Sequence, residues 1–327
     1  MSRRQAFSIG MTAVAVLTIA AIAPVIGQTT AAVHGSAPRT PWGDPDLQGT
    51  YTNTYENGTP FERPDEFAGR RLEDITGEEL RKIKREAQER AIRAFQGPIH
   101  APDHWWQDNL HLERGSQAWF VIDPEDGRIP PMTEEARQRI AARAEARRKS
   151  GRGPADSWED RSLYDRCITR GLPGSMLPAI YGNQYQIVQA PGYVAIVYEM
   201  IHETRVIPLD DRPRVGAAIE QDMGIARGRW DGDTLVVETT NFKDRSAFRN
   251  ANGATLKLTE RFQRISPEQV RWTVTVDDPK TWTRPWTFSM PLTADPNPVP
   301  LYECHEGNYG LRNILSAARA EERAARP

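Results

Sequence analysis

The chain has 327 residues, 39% of them hydrophobic and 26% charged, with a formal net charge of −2. That balance excludes disorder throughout, which requires low hydrophobicity or a large charge imbalance. Two cysteines exclude a disulfide-scaffold protein, and the near-zero charge excludes a basic nucleic-acid binder.

Arg3 and Arg4 precede an uncharged run from Met11 to Ala23, and Pro24 with small and polar residues follows. A positive start, a short apolar middle and a small-residue end predict a cleaved secretory signal peptide over residues 1–27. A signal anchor is the alternative, but the run is shorter than the ~20 residues that a span needs. Ser2-Arg3-Arg4-Gln5-Ala6-Phe7 leaves both general and twin-arginine export open. No second apolar run approaches membrane length, so the expected location is periplasmic or secreted, with no membrane span after cleavage. Cys167 and Cys304 then lie in a compartment that permits oxidation. A disulfide between them is expected, with two buried free thiols as the alternative.

Residues 28–72 are rich in Pro, Gly, Asp, Thr and Asn and read as an extended lead-in, with one candidate strand at Gly49-Thr50-Tyr51-Thr52. Asn57-Gly58-Thr59 fits a glycosylation sequon and, more simply, a turn. Residues 73–183 read as a helical and loop excursion packed on the domain that follows. Within it, Thr76-Gly77-Glu78-Glu79 is a capping box, and Leu80, Ile83, Ala87, Ala91 and Phe95 follow at helical spacing, which predicts a helix ending near Gly97-Pro98. A second helix, from Thr133 to about Lys149, offers only Ala136, Ile140 and Ala144 as an apolar edge. Acidic residues interleave its Arg-rich end, so it reads as a solvated face.

From Gln184 the apolar pattern changes to period two. Candidate strands are 184–190, 193–201, 203–209, 225–230, 233–240, 255–265, 268–277 and 283–292, separated by turn pairs such as Pro191-Gly192, Asp231-Gly232, Ser266-Pro267 and Asp278-Pro279. Residues 184–327 therefore predict a mainly β domain, an eight-stranded antiparallel meander closed as a barrel, with helices added before it and a C-terminal helix after it. Such a barrel is filled by side chains or holds one small ligand. A two-sheet sandwich is the competing architecture.

Four stretches carry a resemblance. They are Pro41-Trp42-Gly43-Asp44-Pro45-Asp46-Leu47-Gln48-Gly49, the run from Leu163-Tyr164-Asp165-Arg166-Cys167 to Leu172-Pro173-Gly174, the run from Gly228-Arg229-Trp230-Asp231-Gly232 to Thr240-Asn241-Phe242, and Tyr302-Glu303-Cys304-His305-Glu306-Gly307-Asn308-Tyr309-Gly310. In these the chain resembles a family of secreted bacterial proteins of no settled function. The resemblance implies a secreted domain with a lipocalin-like barrel, and it brings no reaction with it.

Linear motifs for a nucleophile, a phosphate loop, a zinc site or haem attachment are absent. The alternation offers the best clue to a site. Leu256, Leu258, Glu260 and Phe262 share one face of their strand; Val270, Trp272, Val274 and Val276 share a face of the next; Arg284, Trp286, Phe288 and Met290 share a face of the third. Together they predict an apolar, aromatic wall carrying one carboxylate and one guanidinium. A carboxylate so placed suits general acid–base work, or else forms a structural Glu260–Arg284 ion pair. Tyr198 and His202 lie on one face of their strand and would join Glu260 if that face points inward. Cys304-His305-Glu306 is a poor metal set, because neighbours on a strand point opposite ways, and the His100, His104 and His111 group reads as a polar loop beside Trp105-Trp106.

Three functions follow. One is a cofactor-independent acid–base enzyme (isomerase, lyase, cyclase or hydrolase) in which Glu260, His202, Tyr198 and Arg284 act on a small apolar or aromatic molecule held by Leu258, Trp272, Trp286, Phe288 and Met290. The second is a non-catalytic carrier or sensor of such a ligand. The third is a barrel filled by its own aromatics. Residues from Tyr164 to Pro178 are a candidate cover for the barrel mouth, with a plain surface connection as the alternative.

Overall fold

The computed structural model describes residues 38–95, 116–179, 181–213 and 215–325. The expected leader, His34, and the group of His100, His104 and His111 with Trp105-Trp106 lie outside them. The described residues form a sheet of ten antiparallel strands, nearly closed into a barrel, with three α-helices. The strands are β1 (Gly49–Thr52), β2 (Val121–Asp123), β3 (Gln184–Ala190), β4 (Tyr193–Tyr198), β5 (Thr204–Pro208), β6 (Ile225–Asp231), β7 (Thr234–Thr240), β8 (Lys257–Ser266), β9 (Gln269–Asp277) and β10 (Trp286–Ala294). All eight strands expected after Gln184 are present, and two more come from earlier segments.

The candidate strand at Gly49–Thr52 is present as β1 and β2 is an addition, so the sheet has ten strands and not eight, with one from the lead-in and one from the excursion. Residues 184–208 form one three-stranded meander and residues 225–294 a five-stranded one. β1 pairs with β3 along one edge and with β10 along the other, so it joins the two meanders into one sheet. β2 pairs with the opposite end of β10, at Thr287 and Phe288.

The path runs β5-β4-β3-β1-β10-β9-β8-β7-β6 and ends at two strands with no backbone ladder between them among the described residues. They meet through side chains. A Cβ added at Gly228 of β6 would lie 2.6 Å from Leu209 Cδ2 and 2.8 Å from Ile207 Cγ2, so the β5 side lies directly against β6 backbone.

Alternation places the core. In β8 the buried residues are Leu258, Glu260 and Phe262 and in β9 Val270, Trp272, Val274 and Val276, while β10 buries Trp286, Phe288, Met290 and Leu292 on one face and Ser289 and Pro291 on the other. Neighbouring strands run antiparallel, so β1, β4, β7 and β9 all end where β3, β5, β6, β8 and β10 begin. The long connections β1–β3, β7–β8 and β9–β10 lie at that end, and the β5–β6 connection runs to it from the opposite end. The other end carries tight turns, including a two-residue Gly232-Asp233 loop closed by the Asp231–Thr234 pair, with Gly232 at φ +59°.

The helices are peripheral. α1 (Gly77–Phe95) buries Ile83 against Phe67, Ile75, Ala118 and Trp119 in a satellite core. α2 (Glu134–Lys149) starts at Thr133, whose hydroxyl accepts the Ala136 N–H at 3.1 Å, and buries only Ala136. Its arginines are matched by acids, Arg148 with Glu145 and Arg143 with Asp244, as the solvated reading expects. α3 (Tyr309–Ala324) follows the disulfide that joins Cys167 to Cys304. Asn57 of the sequon caps a short 3-10 turn, and its Nδ2 is buried.

Candidate functional site

Inside the barrel, the expected wall packs on itself. Trp272 stacks on Phe262 at 6.4 Å and meets Phe288 edge-on at 5.5 Å, while Trp286 lies 6.0 Å from Phe288 and 5.6 Å from Trp282. Leu258, Trp272, Trp286, Phe288 and Met290 are all fully buried. None of them, nor Glu260 or Tyr198, lines any of five cavities formed by the described residues.

Glu260 is fully buried and held from two sides. Trp272 Nε1 donates to its Oε1 at 3.1 Å, and its Oε2 lies 2.6 Å from Arg205 Nη2. The same Nη2 donates to Thr239 Oγ1 at 2.7 Å. Arg205 belongs to β5, so this one side chain spans from one free end of the sheet to β7 and β8 near the other. Burial alone would lower the Arg205 pKa, but the Glu260 carboxylate reverses that and holds the guanidinium above its ordinary value. Tyr198 shares the interior. Its burial pushes the phenol well up, partly offset by the Arg205 charge.

Two expected partners are elsewhere. Arg284 was expected in the wall by extending the β10 alternation back two residues, but the strand begins at Trp286. Arg284 instead sits in the preceding turn, more than half exposed, and pairs with Asp123 at 2.8 Å. His202 also leaves the barrel. β4 ends at Tyr198, and Ile201 and His202 take left-handed conformations that turn the chain away. His202 Nε2 accepts the Tyr302 backbone N–H at 2.9 Å. Glu260 and Tyr198 therefore come together, and His202 and Arg284 do not join them. The residue that sequence reading missed is Arg205, whose signal was its place on the Ile207 face of β5.

One cavity of ligand size lies at the loop-bearing end. It measures about 750 Å³ and is lined by Leu163, Tyr164, Arg170, Tyr181, Met200 and Ala247 among others. The segment before β3 builds most of it. Leu172 and Met176 of that segment are buried in the core, where Asn53 Nδ2 donates to Met176 O at 2.7 Å. Gly182, at φ +77°, gives Met200 its place, since a Cβ there would lie 2.1 Å from the Met200 side chain. On one side of the cavity the Tyr164 and Tyr181 hydroxyls meet at 2.8 Å, and Arg170 Cζ lies 5.6 Å from the Tyr164 ring centroid. Burial and the neighbouring tyrosines push the Tyr164 phenol far above its ordinary value, so it stays protonated. The Cys167–Cys304 disulfide ties the same segment to the residues leading into α3.

Among the described residues no three His, Cys, Asp or Glu side chains converge as metal ligands, and no helix is long and apolar enough to cross a membrane. No family model, curated protein or solved structure matches the chain.

Proposed function

We propose that this protein is a non-catalytic carrier of a small apolar or aromatic molecule, held in the cavity at the loop-bearing end of the barrel. One observation carries the reading: a tyrosine-lined cavity of ligand size stands outside an interior that its own aromatics occupy. Ala179, Met200 and Ala247 supply apolar surface, and the two tyrosine hydroxyls supply polar contacts. The reading places the carrier outside the cytoplasm. The leader-like residues before Gln28, the disulfide and the resemblance to secreted bacterial proteins all support that placement. Two of the four motifs behind that resemblance meet beside the cavity at Cys167 and Cys304.

Calorimetric titration with 2-naphthamide tests the proposal. Wild type is expected to bind it, and Tyr164→Ala to weaken binding about tenfold, roughly 1.4 kcal/mol. Trp158→Ala, outside this cavity, serves as the control and is expected to leave affinity unchanged. Failure of wild type to bind either 2-naphthamide or the matching 2-naphthoate, or equal affinity in wild type and Tyr164→Ala, overturns it.

An acid–base enzyme is the second reading, favoured by the shared burial of Glu260 and Tyr198. The Arg205 pairing counts against it, because Oε2 of Glu260 is already taken by the guanidinium and Oε1 by Trp272.

A further inference from the structure

The cavity at the loop-bearing end has a one-sided charge balance. Its lining includes two guanidinium groups, Arg170 and Arg245, and no carboxylate. The two arginines differ. Arg245 donates from Nε and Nη2 to the Asp222 carboxylate at 2.9 and 2.8 Å, so its charge is matched. Arg170 forms no ion pair among the described residues. Arg170 lines the cavity, its Nη1 is covered and has no hydrogen-bond partner, and its cation lies against the Tyr164 ring. A buried donor left unsatisfied is costly and rare, and a guanidinium fork is shaped to take two carboxylate oxygens at once.

Resting on the carrier reading, we propose that the ligand is an aromatic carboxylate, with its acid group bound by Arg170 and its ring against Met200, Ala247 and Leu163. The Tyr164–Tyr181 pair stands beside that anchor and can donate a phenolic hydrogen bond to the same carboxylate, since both hydroxyls lie at the cavity and Tyr164 keeps its proton. The apolar part of the lining excludes inorganic anions as good ligands, because they bring nothing to bury there. The unmatched cation sets neutral aromatics behind their acids.

A matched pair of probes tests this on the intact, disulfide-bonded protein: 2-naphthoate and 2-naphthamide, which differ in charge and little in shape, titrated calorimetrically. Wild type is expected to prefer the naphthoate by about tenfold to a hundredfold. Arg170→Gln is expected to erase that preference by weakening the naphthoate alone, with naphthamide affinity kept within about threefold, and Arg170→Lys to restore part of it. A measurement on wild type needs no variant: raising salt is expected to shrink the preference and to leave the naphthamide unchanged. If wild type binds both probes equally, or if Arg170→Gln weakens both alike, the anion anchor is wrong while the carrier reading stands. If neither probe binds wild type, both fail.

Discussion

Glu260 has no solvent contact, and Arg205 has almost none, so each charge depends on the other. Removing one partner leaves the other buried and unmatched. Glu260→Gln or Arg205→Met is therefore expected to lower the unfolding free energy by about 3–5 kcal/mol, read by urea denaturation, whereas the Arg205→Met/Glu260→Leu pair recovers most of that loss. A double variant as unstable as the worse single one would show that the two do not act as a unit. Glu203 behaves differently. Burial raises its pKa, only partly offset by the Thr169 hydroxyl that donates to Oε2 at 2.7 Å. A carboxyl whose pKa is higher folded than unfolded favours the fold in acid and withdraws that help as pH rises through the folded value. Glu203→Gln is thus expected to gain stability relative to wild type as pH rises above the ordinary carboxylate range, seen as a melting-temperature difference that grows with pH and then levels off. At this scale the sequence was legible where alternation held without a break, as at Glu260, Trp272 and Phe288. It misled at Arg284 and His202, each just past a strand end, where period two no longer says which way a side chain points.

The strands after Gln184 were readable because each carries its own alternation and its own turn. β1 and β2 were harder: they have four and three residues, and their partners lie far along the chain. The lead-in strand at Gly49 was visible as a candidate, but nothing local reveals that it joins two meanders. The junction of β5 and β6 is the opposite case, with two strands side by side and only side chains between them. Gly228 keeps that junction tight, since Ile207 and Leu209 occupy the space a Cβ would need. Gly228→Val is expected to push β5 from β6 and to cost about 1–3 kcal/mol, with amide exchange rising first in Thr204–Pro208 and Ile225–Asp231. Uniform exchange across the whole sheet would contradict a weak junction there.

Across the molecule, the disulfide closes a loop of sequence separation 137 and ties the cavity segment to the approach to α3. Replacing both cysteines with serine is expected to lower stability by about 4–5 kcal/mol if chain entropy dominates, and to weaken ligand binding as well. A variant that keeps wild-type stability would limit the bridge to a local role. The fold class was legible in the sequence because it rests on many repeated local patterns. The cavity was not, because its walls come from segments around 163–181, 200 and 245–247 that meet only in the finished fold. The position of β1 adds an order of assembly. On a chain made N-terminus first it emerges before either neighbour, and its second edge is covered only once Trp286–Ala294 has appeared. Sealing the barrel is therefore a late event of biosynthesis, and a polypeptide cut short of Ala294 presents an uncovered strand to other chains.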